Sequence, residues 1–303
     1  MCCLFGMIDY GGSFTGRQKT KLLTVLATAC EARGTDAAGV AYCINGSLRV
    51  YKRPVPAHAL RFRIPDGVRV VLGHTRMTTQ GSQEKNYNNH PFLGNAGGQR
   101  FALAHNGVLC NDQLLRRSLN LPPTKIETDS YIAVQLIERQ KALDFASLKY
   151  MAEQVEGSFT FTLLDEANNW YLVKGDNPIC LYHYPRLEMY LYASTEEILR
   201  KALRRQRLGK PKRIQAECGG ILKISPDGAI HCSVFEMDFE NWMPPLYTPP
   251  SCWSRWGNIF EQEYRQELEA LAVWYGYDAA YIGDLLQQGF TLDEVAESLY
   301  AGE

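Results

Sequence analysis

The 303-residue chain lacks the signatures of several large classes of protein chemistry. Its nine cysteines, at 2, 3, 30, 43, 110, 180, 218, 232 and 252, include no C-x-x-C, which excludes zinc-ribbon and thioredoxin-type motifs. Most of them read as small buried hydrophobes of a reducing compartment. The six histidines form neither H-x-x-x-H nor H-E-x-x-H, so no metal is expected. The absence of G-x-G-x-x-G and G-x-x-x-x-G-K-[ST] removes the usual dinucleotide and phosphate-loop readings, and no cofactor is expected. No apolar run approaches the roughly 18 residues of a membrane span, and no basic-then-apolar leader opens the chain. A cytoplasmic location without membrane contact is the expectation. A net charge of -1 gives no global attraction to nucleic acid, and none is expected as a partner.

What is present is an ordinary globular balance, 46% hydrophobic and 21% charged. Residues 16–33 place Leu22, Val25, Leu26, Ala29 and Cys30 on one helical face, with the lysines and arginines elsewhere. GVAYCINGSLRVYK reads as a hairpin turned at Asn45-Gly46. Further strands are read in VRVVLGHTR, RFALAHNG, SFTFTLLD, NWYLVKG, ICLYHY, MYLYAS, ILKIS and AIHCSVFEM. ETDSYIAVQLIERQ and FASLKYMAEQV read as a helix pair, and STEEILRKALRRQR as a helix opened by a Ser/Thr cap. Helices between runs of mostly antiparallel strands imply a layered α+β architecture. The basic run RKALRRQRLGKPKR, 200–213, reads as a solvated helix face.

A boundary is expected near Glu240. Residues 1–240 form the main domain, 241–256 a Pro/Trp-rich linker, and 257–303 a small C-terminal module of three helices. Pro244, Pro245, Pro249 and Pro250 favour an extended connection. Trp242, Trp253, Trp256 and Trp274 offer apolar anchors for docking a partner.

The opening MCCLFG places a thiol behind the initiator methionine. Removal of Met1 would put an amine and a thiol on one residue, Cys2. A thiol of pKa about 8.5 and an α-amine of pKa about 7.7 to 8.0 are matched for proton transfer near neutrality. With Met1 retained, the same nitrogen is a peptide amide and no base.

Five further segments follow in order: RGTDAAGVA at 33–41, GHTRMTTQG at 73–81, NNHPF at 88–92, AHNGVLCN at 104–111 and ETDSYIA at 127–133. With CCLFG, their order and spacing over residues 2 to 240 resemble the class II glutamine amidotransferases, amino-terminal-nucleophile (Ntn) hydrolases whose glutaminase domain begins with Cys. The resemblance implies a four-layer αββα sandwich with no metal. It implies that Cys2 is the nucleophile and that Asn106 and Gly107 form the oxyanion hole. A tetrahedral intermediate concentrates charge on one oxygen, which a side-chain amide and a backbone N–H can stabilise. Arg76 would hold the substrate α-carboxylate and Asp129 its α-ammonium, the complementary pair that an amino acid requires. Thr79 and His90 would shape the same pocket, and Arg33 would orient the amino-terminal residue. Gly6 matches the family's C-G-I-x-G opening, whereas Cys3 stands where that opening has glycine and reads as structural. Met77 and Gln80 replace the tryptophan and histidine of T-R-W-A-T-H-G.

The family usually fuses its glutaminase to a synthase that consumes the ammonia. Only about 60 residues follow Glu240 here, so the acceptor is expected as a partner protein in trans. The resemblance thus implies a glutaminase subunit that hydrolyses L-glutamine through a Cys2 thioester. Two alternatives stand beside it: an amidohydrolase for another amide with an α-amino acid head, and a glutamine-binding regulatory module with little turnover.

Overall fold

In the computed structural model the described residues are 2–236, together with 265, 268, 269, 272, 273, 277, 278, 280–288, 290–292 and 295. The chain divides into two compact units, Met1–Trp242 and Met243–Glu303. Trp242, Trp253, Trp256, Trp274 and the four prolines of the expected linker lie outside the described residues.

Among the described residues of the first unit, strands assemble into two antiparallel sheets. One runs β11 (Lys212–Ile214), β9 (Cys180–Tyr184), β10 (Met189–Ala193), β1 (Cys3–Asp9), β4 (Val70–Arg76), β2 (Ala37–Ile44), β3 (Ser47–Arg53). The other runs β13 (Ile230–Val234), β12 (Gly220–Ile224), β8 (Trp170–Lys174), β7 (Gly157–Asp165), β6 (Gln99–Leu109), β5 (Phe92–Ala96). The β2–β3 hairpin turns at Asn45 (φ 51°) and Gly46 (φ 68°), the two positive φ angles of a type I′ turn. Helix α1 (Gly16–Ala29) opens with a capping box in which Thr15 and Gln18 satisfy each other's backbone N–H. Asp144 and Thr195 cap α4 (Phe145–Gln154) and α5 (Glu196–Leu203).

Alternation along the strands sorts the side chains into three apolar layers. Cys3, Phe5 and Met7 of β1 pack with Leu22, Leu23 and Leu26 of α1 and Leu199 of α5 on the outside of the first sheet. Phe101 and Leu103 of β6 pack with Leu136 of α3 (Tyr131–Gln140) and Met151 of α4 outside the second. Between the sheets lie Leu4 and Ile8 of β1, Val70 and Leu72 of β4, and Ala102 and Ala104 of β6. The result is the four-layer α+β sandwich, helix–sheet–sheet–helix, that the sequence implies.

The structure adds elements that the strand and helix patterns do not announce: β1, β5, β11 and α2 (Asp112–Ser118). β1 is buried along its whole length between β10 and β4, so it has no polar alternation to display. Lys19 departs from the amphipathic reading of α1, being buried with its ammonium 2.8 Å from Asp9 and bonded to the carbonyl of Val68. Asp9 also accepts the backbone N–H groups of Gly12, Ser13 and Phe14, so the turn leaving β1 is organised around one carboxylate. The basic run is exposed but is not a single helix face: α5 ends at Leu203 and the run continues into edge strand β11. Of the described cysteines, Cys2, Cys3, Cys30, Cys43 and Cys180 are buried, as expected for most of them, and Cys110, Cys218 and Cys232 are exposed.

In the second unit, Leu268, Ala272, Ile282 and Val295 form a small core of their own, and Tyr281–Gln287 is helical. No helix among the described residues is long and apolar enough to cross a membrane.

Candidate active site

The strands that carry the sequence motifs end together. Cys3 pairs with Thr75 across β1 and β4, so the next step along this antiparallel register sets Cys2 opposite Arg76. Both residues have the parity of the inner-face positions Leu4, Val70 and Leu72, and Asn106 has the parity of Ala102 and Ala104 across the sandwich. Cys2, Arg76 and Asn106 therefore converge at one end of the cleft between the sheets. The two sheets are tied there by the His74 imidazole, whose Nε2–H donates to the carbonyl oxygen of His105 at 2.9 Å.

Cys2 is buried, with its thiol 3.4 Å from the carbonyl of Met77. Burial pushes the thiol pKa up; contact with the Met77 backbone and the charge of Arg76 oppose this, and Asp129 adds to it. The group is a thiol near neutrality and becomes a nucleophile only by giving up its proton to a base. Arg33 donates from Nε to the Cys2 carbonyl oxygen at 3.0 Å, fixing the backbone of that residue.

Asn106 is fully buried, yet neither its amide nitrogen nor its oxygen has a hydrogen-bond partner. A buried amide left unpaired costs roughly 1–3 kcal/mol, so its retention points to a ligand that completes it. Gly107 follows with φ +143°, and a Cβ there would lie 1.9 Å from the carbonyl oxygen of Ser158. Only glycine fits this backbone, which marks the Asn-Gly pair as a strand distortion and not a hairpin turn.

Arg76 is buried and spends three of its N–H groups on the protein: Nη1 on Asn89 Oδ1 at 2.7 Å, and Nη2 on the carbonyls of Gln80 at 2.6 Å and Gly81 at 3.1 Å. A guanidinium has five such donors, so two remain, on Nε and Nη1. Burial lowers its pKa, against the opposing charges of Cys2, Asp129 and Asp36.

Asp129 is buried at the entry to α3, accepting from the N–H of Leu109 at 2.7 Å and from Ser130 Oγ at 3.3 Å. Burial raises its pKa; the N–H groups and Arg76 pull it back. His90 is buried against His74 and Phe92, ring centroids 4.2 and 4.4 Å away, with neither ring nitrogen bonded. Thr79 sits half-buried in the 77–85 segment between Arg76 and Asn86.

The structure thus brings Cys2, Arg33, Arg76, Asn106, Gly107 and Asp129 to one end of the sandwich, whereas His90 belongs to the packing beneath Arg76. Sequence reasoning passed over Asn89, which orients Arg76, and His74, which joins the sheets; both stand inside quoted motifs, but their partners lie on other elements and no local pattern marks them. Asp112 was also passed over. It opens α2 and is held by amide donors from Gln80 at 3.4 Å and Gln113 at 3.0 Å. Among the described residues no three His, Cys, Asp or Glu side chains are grouped to hold a metal ion.

The comparisons with known proteins bear on family and fold. Residues 74–201 match the family model described as a glutamine amidotransferase domain, a range that includes Arg76, His90, Asn106, Gly107 and Asp129. The chain is 32% identical over 182 residues to a glutamine–fructose-6-phosphate aminotransferase (isomerizing) of Halalkalibacterium halodurans, covering 57% of this chain and 29% of that protein. It is 28% identical over 207 residues to a 7-cyano-7-deazaguanine synthase of Saccharolobus solfataricus, covering 65% of this chain and 43% of that one. The chain therefore spans less than half the length of either relative. In structure it resembles the glutamine phosphoribosylpyrophosphate amidotransferase of B. subtilis, with a TM-score of 0.62 at 20% identity over 78% of this chain and 50% of that one, a likeness of fold. The family match over residues 74–201 and the likeness of fold together support a class II, amino-terminal-nucleophile glutamine amidotransferase domain in this chain.

Proposed function

We propose that this domain hydrolyses the side-chain amide of L-glutamine with Cys2 as nucleophile and passes the ammonia to an acceptor enzyme in trans. The observation that carries the reading is the Asn106 amide, buried and unpartnered beside the strained Gly107. Its N–H is a donor without an acceptor in the free protein, as an oxyanion hole requires before charge develops.

Removal of Met1 leaves Cys2 with a free amine. That amine takes the thiol proton as sulfur attacks the amide carbon, and the Asn106 side chain and Gly107 N–H hold the oxyanion. Collapse of the intermediate expels ammonia, which carries off the proton, and leaves a glutamyl thioester. Water then attacks the thioester, giving glutamate and the free thiol. Arg76 supplies charge and its remaining donors to the α-carboxylate, and Asp129 accepts the α-ammonium. Arg33 keeps the Cys2 backbone in place through its carbonyl. Thr79 lies in the segment that would cover the carboxylate.

The test is glutamate release from glutamine, with asparagine and simple γ-glutamyl amides run in parallel. Asn106→Ala is expected to lower kcat by about a hundredfold with little change in KM. A rise in KM alone would remove Asn106 from the oxyanion hole, and faster hydrolysis of another amide would replace glutamine as the substrate.

A further inference from the structure

Gln80 stands where the family motif has histidine, and its contacts differ from those of an ordinary loop residue. Its side-chain nitrogen donates to the carbonyl oxygen of Glu127 at 2.9 Å and to Asp112 Oδ2 at 3.4 Å, while its backbone carbonyl accepts from Arg76 Nη2 at 2.6 Å. One residue thus touches the guanidinium that would take the α-carboxylate and the segment that ends in Asp129, which would take the α-ammonium.

The rest of the 77–85 segment is fastened too, and part of it reaches the same Glu127 through Asn88, which donates to the Glu127 carboxylate at 2.9 Å and accepts the Glu127 N–H at 2.9 Å. Thr78 N–H meets Asp36 at 2.7 Å, the carbonyl of Ser82 meets Asn88 Nδ2 at 3.0 Å, and the carbonyl of Gln83 meets Asn89 Nδ2 at 2.8 Å. Lys85 pairs with Glu127 at the exposed surface, where an ion pair adds little. Gln80 itself both accepts from Arg76 and donates to the segment that carries Asp129.

We propose that Gln80 is a positioning residue for the amino-acid head of the substrate, holding Arg76 and Asp129 at a fixed separation before substrate arrives. The proposal rests on the glutaminase reading above and concerns only how the head is recognised. The bond to Asp112 also places an amide donor between that carboxylate and the loop, and Arg116 approaches the same carboxylate at 3.9 Å. Burial and the charge of Asp129 raise the pKa of Asp112, and the donor from Gln80 pulls it back toward the charged form.

The consequence is a site already assembled in the free protein, which lowers the ordering cost of binding and leaves the chemical step to Cys2, Asn106 and Gly107. Loss of the bridge raises KM; it does not touch the group that stabilises the transition state.

The test is steady-state kinetics of Gln80→Ala and Gln80→His, with thermal melting to establish that each folds like the wild type. Gln80→Ala is expected to raise KM for L-glutamine about tenfold with kcat within about twofold. KM for a γ-glutamyl amide lacking the α-amino group is expected to change little, because Asp129 has no charge to hold there. Gln80→His, with a ring N–H of similar reach, is expected to recover at least half of the loss on a logarithmic scale. An unchanged KM in Gln80→Ala, or an equal rise for both substrates, would overturn the proposal while leaving the glutaminase reading intact. A wild-type protein that releases no glutamate would instead overturn that reading.

Discussion

His74 on β4 donates its Nε2–H to the carbonyl oxygen of His105 on β6, 2.9 Å away, and His105 is the residue immediately before Asn106. This bond crosses from one sheet to the other at the end of the cleft where Cys2 and Asn106 converge. The register between the proposed nucleophile and oxyanion donor therefore rests on this inter-sheet bond.

Replacing that histidine should act on turnover more than on binding. His74→Leu keeps the apolar packing but removes the donor, and kcat for glutamine hydrolysis is expected to fall about tenfold with a smaller change in KM. Steady-state kinetics decides this; a rise in KM with kcat retained would show that His74 serves the substrate head and not Asn106.

The same cluster makes the fold acid-sensitive. Burial pushes His74 and His105 down to about 3, and burial with the neighbouring positive groups lowers His90 well below its usual value. The unfolded chain takes up these protons near pH 6.5 while the native state refuses them, so stability is full above that pH and falls as pH drops from 6.5 toward 3. Each histidine adds about 1.4 kcal/mol per pH unit to the slope. Urea unfolding at pH 6, 5 and 4 should show His90→Leu with a shallower slope by that amount; an identical slope would mean that His90 takes up its proton in the native state.

The buried pair at the end of β1 gives a prediction of stability alone. Lys19→Met leaves Asp9 with three backbone donors but no counter-charge, and is expected to cost about 3 kcal/mol, read as a lowered urea midpoint. A loss below about 1 kcal/mol would mean that the turn amides alone satisfy Asp9.

Much of the architecture was legible because its signals are local. The Asn45-Gly46 turn, the Thr195 cap and the period of α3 follow from neighbouring residues, and each stands in the structure. β1 was read for its chemistry and not as a strand, since a strand covered on both faces has no alternation. The burial of Lys19 could not be read from α1, because its partner Asp9 belongs to another element. The motif residues Cys2, Arg76, Asn106 and Asp129 were legible as a set, but the preoccupation of Arg76 was not. Three of its donors are taken by atoms of Asn89, Gln80 and Gly81, and two of those acceptors are backbone carbonyls that side-chain identity does not encode.

The division of labour at the substrate head follows from those contacts. In the proposed reaction Arg76 and Asp129 each supply a charge that meets the substrate throughout, so Arg76→Ala and Asp129→Ala are both expected to raise KM for glutamine by about tenfold or more. Arg76→Lys should rescue little, because a point charge cannot also hold Asn89 and the two loop carbonyls. Recovery of wild-type KM by Arg76→Lys would reduce the role of Arg76 to charge alone.

In the proposed reaction Cys2, as the mature amino terminus, forms a covalent bond to the substrate. The most direct measurement is intact and peptide mass spectrometry of the active protein, acid-quenched during turnover of L-glutamine. The expected result is a protein that begins at Cys2 and carries one glutamyl group on the peptide containing that residue, with no adduct in Cys2→Ala. An active preparation that retains Met1, or a glutamyl group found on any other residue, would contradict it.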